Sequence, residues 1–165
     1  MRVTWVAIRL IGYAAGLALT GAGTLVAQRA TQVVSFRVEA IQEVSVEGSP
    51  SLTISSAIAG QAPTSVTASG STWNVSTNLT GAKVTASLES DMPSGVTLSI
   101  DLAPPPGATS AGRKPLGAAP VDLVTNVTKL TATHLPLSYR LDATPRAGIV
   151  TAGTRVVTFT ITGGV

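Results

Sequence analysis

Residues 33–47 read VVSFRVEAIQEVSVE, and apolar and polar side chains alternate along this stretch. The apolar face of its first half carries Val34, Phe36, Val38 and Ala40. A period of two residues is typical of a half-buried β-strand. Fully extended, the stretch would span roughly 50 Å, which is long for one strand of a small domain. We therefore expect it to divide near Ile41–Gln42, with its first half pairing with a different sheet or with another subunit.

The rest of the chain repeats this alternation in short segments separated by turns that contain Gly or Pro. These segments are residues 51–55, 71–78, 82–90, 95–102, 121–130, 136–143 and 154–162. Between two of them, residues 103–120 contain five prolines and three glycines, which predicts a long irregular loop. No segment beyond residue 30 has a helical period. The pattern predicts an all-β fold, an antiparallel immunoglobulin-like β-sandwich of seven to nine strands.

The apolar positions of these segments form the expected core. They are Val75, Val84, Leu88, Val96, Leu98, Ile100, Leu137, Tyr139, Leu141, Val157, Phe159 and Ile161. Trp73 is expected to pack with them, because a lone Trp in a strand is more often buried than exposed to stack on a sugar.

The first 27 residues have the pattern of a secretory signal peptide. Arg2 and Arg9 precede an apolar run, and small residues follow it. We expect a signal-peptide helix that is cleaved after Ala27, with cleavage after Ala22 as the alternative. A leader that stays uncleaved would act as a membrane anchor, and this would be the only membrane contact. The predicted organisation is residues 1–27 as signal peptide, 28–41 as an N-terminal strand and 42–165 as the sandwich domain, in a protein that is secreted or held at the cell surface.

Charge and cysteine content exclude several classes of function. Three of the 11 basic residues lie in the first 30 positions, so eight basic residues face eight acidic ones in the remainder, a net charge of zero. A neutral domain gives no reason to expect a nucleic-acid partner. The chain has no cysteine, which excludes disulfides, zinc ribbons, thiol chemistry and iron–sulfur sites.

No catalytic, cofactor or metal site is evident in the sequence. His134 is the only histidine and is expected in an exposed loop. Asp91 and Asp101 flank a predicted strand, but they lack the acidic density of a calcium loop. We therefore expect no enzyme activity, no cofactor and no metal.

Three Asn-x-Ser/Thr triplets, at Asn74, Asn78 and Asn126, are candidate acceptors for N-glycosylation on an exported domain. Such triplets also arise by chance in a chain this rich in Ser and Thr. The first of them lies inside a predicted strand.

The layout resembles secreted bacterial pilin-like β-sandwich proteins, including spore coat protein U-like and chaperone–usher fimbrial subunits. The shared features are the leader, the alternating strand VVSFRVEA at 33–40, the Thr/Ser/Ala-rich middle, and the closing AGIVTAGTRVVTFTIT at 147–162. The resemblance implies subunits that polymerise when the N-terminal strand of one enters the incomplete sandwich of the next. Many subunits of these families carry a disulfide, and this chain cannot.

Two functions follow as expectations. The first is a structural subunit of a surface fibre or coat, with itself or homologous subunits as partners and Val34, Phe36, Val38 and Ala40 as the assembly strand. The alternative is a small secreted module that binds a carbohydrate or another surface ligand, through residues 103–120 or the surroundings of Trp73.

Overall fold

The computed structural model describes residues 28–165, so the expected signal peptide lies outside the described residues. The chain divides into two units, residues 1–37 and Val38–Val165. The second unit holds nine strands and a single 3₁₀ turn at Pro145–Ala147, the only helix among the described residues. The strands are β1 Gln42–Glu47, β2 Val66–Thr77, β3 Ala82–Leu88, β4 Val96–Leu102, β5 Thr109–Ser110, β6 Lys114–Pro115, β7 Val121–Val127, β8 Leu130–Ala143 and β9 Val157–Thr162.

All strand pairs are antiparallel and form two sheets. The five-stranded sheet has the order β1-β2-β8-β4-β6, and the four-stranded sheet has the order β5-β7-β3-β9. In the five-stranded sheet the two long strands, β2 and β8, pair with each other. Their register shifts between Ala68 and Ser71 and again between Trp73 and Val75. The all-β, antiparallel prediction is confirmed.

The two sheets share one apolar core. Trp73, Ile100, Val84 and Val124 are completely buried in it. Alternation explains this arrangement, since every second residue of β3 is buried while the residues between them are half-exposed. The indole Nε1 of Trp73 donates to the carbonyl oxygen of Ala103 at 3.1 Å, which satisfies its one polar group.

The expected core is correct in part. Val75, Val84, Leu88, Leu98, Ile100, Leu137 and Tyr139 are buried. The other five, Val96, Leu141, Val157, Phe159 and Ile161, are only half-buried. For the last three the physical reason is their position on β9, which is an edge strand of its sheet.

One strand prediction was wrong, and one loop prediction was correct only in part. Residues 51–55 form no strand, although Leu52 still packs against the core, because alternation does not by itself supply a neighbouring backbone to pair with. Residues 103–120 are not wholly irregular, since they contain β5 and β6. β8 begins at Leu130, six residues before the predicted start, and it includes His134, which adopts a φ of 54°.

The expected N-terminal strand is also absent from the described chain. Residues 28–41 belong to no strand, and β1 begins at Gln42, near the point where the sequence predicts a division. A strand requires a hydrogen-bonded partner. The alternation at 33–40 therefore marks a segment that no strand of this chain takes into a sheet.

Candidate functional site: an exposed apolar segment and an incompletely covered edge

The N-terminal segment, residues 28–41, presents apolar side chains to solvent. Phe36 is 92% exposed, Val34 72% and Val38 78%. Ala40, the fourth residue of the predicted assembly face, is also exposed. Contiguous exposed apolar residues typically mark an interaction surface, because leaving them in water forgoes the hydrophobic stabilisation that contact would supply.

One side of the domain is less well covered than the rest. β1 and β9 are edge strands of the two sheets, and they lie near each other without pairing. Their inward-facing residues are half-buried, whereas the equivalent residues of β3 are fully buried. We call this region the seam; its apolar residues are Val44 and Val46 of β1 and Val157, Phe159 and Ile161 of β9.

The seam is closed at one end. The side-chain amide of Gln42, the first residue of β1, donates to the carbonyl oxygen of Gly163, just after β9. Beside it, the backbones of Val165 and Thr80 exchange two hydrogen bonds of 2.9 and 3.1 Å. The start of β1, the β2–β3 turn and the end of β9 are thereby tied together, and the seam extends from there toward Glu47 and Val157.

Asn78 holds the last residues of the N-terminal segment. Its Oδ1 accepts from the backbone N–H of Ile41 at 2.8 Å, and its Nδ2 donates to the carbonyl oxygen of Glu39 at 2.7 Å. Its own backbone N–H donates to the Ile41 carbonyl at 3.3 Å. The side-chain amide thus mimics a strand backbone and fixes residues 39–41 immediately before β1.

The three candidate glycosylation acceptors differ in what their side chains do. Asn74 donates from Nδ2 to Ser45 Oγ and Glu47 Oε1, both at 3.0 Å, and its Oδ1 accepts from the backbone N–H of His134 at 2.8 Å. Asn78 is engaged as described above. Asn126 is exposed, lies at the end of β7 with a φ of 59°, and has no side-chain hydrogen bond within the described residues.

The residues considered for catalysis are not brought together. His134 is exposed, as expected, but it lies within β8 rather than in a loop. Asp91 accepts from the backbone N–H of Ala118 at 2.7 Å and so pins a loop. Asp101 lies within β4. Among residues 28–165, no three His, Cys, Asp or Glu side chains are grouped to hold a metal ion.

A shallow hollow of about 450 Å³ lies over the irregularity in β2. The residues that line it come from β2, β4 and β8 and include Thr72, Asp101 and Ser138, together with Ala103 and Pro104. Trp73 does not reach it as a stacking surface, since its side chain is fully buried. Sequence reasoning missed this hollow because it depends on a shift in strand register that no local pattern reveals.

Two ion pairs lie at the surface of the domain. Lys83 Nζ is 3.0 Å from Asp122 Oδ1, and Arg140 forms an ion pair with Asp142 at 2.8 Å. Burial acts to raise the pKa of Asp142, but the hydrogen bond from Ser65, at 2.5 Å, and the Arg140 guanidinium together lower that pKa. The hydrogen bonds of Ser65 with Asp142 and Arg140 fasten the loop that precedes β2 to β8.

Burial has the clearest electrostatic effect at Tyr139. Desolvation raises the pKa of its phenol from 10.0 to about 12, because the phenolate would lose its hydration in the core.

The described residues contain no helix with the length and hydropathy needed to cross a membrane. Comparisons of the chain with models of protein families, with curated proteins and with solved structures found no match in any of the three.

Proposed function

We propose that this chain is an exported structural subunit of a cell-surface fibre or coat. It assembles when the N-terminal segment of one copy adds to the seam of another. Within this proposal the leader is a signal peptide that is removed, and the two-sheet domain is an immunoglobulin-like sandwich. The protein acts by building an assembly and carries out no enzymatic reaction.

The observation that carries the proposal is the exposed alternation at residues 33–38. Phe36 and its neighbours have the spacing of a strand whose apolar face is to be buried, yet they belong to no strand of their own chain. An extended segment of this kind is suited to β-augmentation, in which its backbone pairs with an open sheet edge and its alternate side chains enter pockets.

The seam is the matching acceptor. Its residues are apolar and half-buried, and the outer edges of β1 and β9 are not paired with any strand within residues 28–165. Uncovered edges favour aggregation unless something covers them. A strand added there would cover Phe159 and its neighbours. The apolar residues of β9 would then be as fully buried as those of β3.

Phe36→Asp tests the proposal in the secreted full-length protein. Wild type should form filaments or higher oligomers by electron microscopy and sedimentation, and the variant should remain a folded monomer. Ile58→Asp is the matched control, because Ile58 is 70% exposed and lies outside both the N-terminal segment and the seam. A wild type that stays monomeric at high concentration would contradict the proposal.

The hollow over β2 favours a second candidate function, a secreted module that binds a carbohydrate or similar polar ligand. Asp101, Thr72 and Ser138 are among the residues that line it, and their side chains carry hydrogen-bonding groups of the kind that sugars use. Under this alternative the protein is a monomer, and Asp101→Ala weakens retention on immobilised glycans without changing the oligomeric state.

A further inference from the structure

Asn78 bonds to the last residues of the N-terminal segment, immediately before β1. Its three hydrogen bonds all go to residues 39–41, which places that stretch alongside the end of β2. Residues 28–37 fall outside the compact unit that begins at Val38. The division falls between Arg37 and Val38, and Glu39, one residue further along the chain, is the first residue that Asn78 holds.

We propose that Asn78 is a positioning residue that keeps residues 39–41 with their own domain, so that the segment passed to a second copy ends at Val38. This inference rests on the proposed strand exchange. It narrows the assembly face to Val34, Phe36 and Val38 and removes Ala40 from it.

The physical reason is competition for the same backbone groups. The N–H and C=O of Ile41 and the C=O of Glu39 are already bonded to Asn78, so a neighbour's sheet edge could take them only after three hydrogen bonds break. Because residues 39–41 are fixed, the connection between β1 and the exchanged segment is short and ordered. Such a connection raises the effective concentration of one domain near the next.

Two measurements test strand exchange and its boundary. A peptide of residues 31–38 should bind the full-length Phe36→Asp protein, whose own segment is impaired for exchange, as followed by calorimetry. Ile41→Ala should change the association constant of the otherwise wild-type protein by less than about threefold, because Asn78 keeps Ile41 with its own domain. If residues 39–41 instead entered a neighbour's seam, the lost burial of Ile41 would weaken association by more than about tenfold, and the boundary would be wrong.

Asn78→Ala tests the cause. Amide hydrogen exchange at Ile41 should become about five- to tenfold faster, the effect of one ordinary hydrogen bond, and trypsin should cut faster after Arg37. Exchange within Val44–Glu47 should change little. Asn74→Ala is the control, because it removes three bonds among β1, β2 and β8 but none to residues 39–41.

The outcomes separate this inference from the function on which it rests. If the peptide does not bind, strand exchange is refuted and the boundary loses its role with it, whatever the exchange rate at Ile41. If the peptide binds but Asn78→Ala leaves Ile41 exchange unchanged, strand exchange stands and Asn78 is not what sets the boundary.

Discussion

Replacing Phe36 should affect association far more than folding. The side chain is 92% exposed, so nearly its whole apolar area is available for burial by a partner, and its removal exposes no core. Full burial of a Phe contributes about 1.5–3 kcal/mol. Phe36→Ala should therefore weaken association by roughly 10- to 150-fold, since each 1.4 kcal/mol is a factor of ten.

Phe36→Asp should have a larger effect, because it also places a carboxylate against an apolar seam, where it would lose hydration without gaining a partner. We expect a loss of more than about 1,000-fold, seen as no oligomer at any accessible concentration. Sedimentation velocity over a dilution series gives the association constants, and urea unfolding gives the stability of each variant.

For the reasoning to hold, Phe36→Asp must weaken association in sedimentation velocity while its stability in urea stays that of wild type. Ile58→Asp, which introduces the same charge at another exposed apolar position, should match wild type in both. An Asp variant at position 36 that assembles normally would show that this face is not the contact. A variant that unfolds at low urea would show instead that Phe36 belongs to its own domain.

Three further outcomes follow from the structure. Trp73→Ala should lower the free energy of unfolding by about 3–5 kcal/mol in urea, because the side chain is completely buried, whereas Trp73→Phe should cost about 1–2 kcal/mol. Tyr139 is the only tyrosine beyond residue 27, so near-ultraviolet titration of the mature protein should report its pKa near 12. Because folding raises this pKa, the neutral phenol contributes its full stability below pH 10, and that contribution is lost as the pH rises toward 12. Tyr139→Phe should abolish that absorbance change. Expressed in a host that glycosylates, the chain should carry glycan at Asn126 and not at Asn74 or Asn78, whose amides are engaged in the fold; peptide mass spectrometry distinguishes the three.

Period-two alternation was sufficient to locate most strands. β3, β4 and β9 fall within the predicted segments, because each buries one face and Gly or Pro ends the pattern nearby. Alternation failed where pairing depended on distant residues. β8 continues through Pro136, and the irregularity in its pairing with β2 lies at His134, whose backbone N–H donates to the Asn74 side chain.

The candidate site was predictable on one side only. The apolar face at Val34 and Phe36 is visible in the sequence, since it depends on neighbouring residues alone. The seam is not visible, because Phe159 has the same local pattern as a core residue, and its partial burial follows from the position of β9 in the sheet order. Asn78 reads as a glycosylation triplet in the sequence, and only the fold shows its amide bonded to Glu39 and Ile41.

The surface ion pairs described above have a consequence for the surroundings this domain tolerates. Lys83–Asp122 and Arg140–Asp142 are each more than a third exposed, and such pairs contribute at most about 1 kcal/mol, which salt screens further. There is also no cysteine for a reductant to act on. Screening of these two pairs by rising salinity should therefore change the free energy of unfolding little, and a change of redox conditions has no disulfide through which to act on the domain.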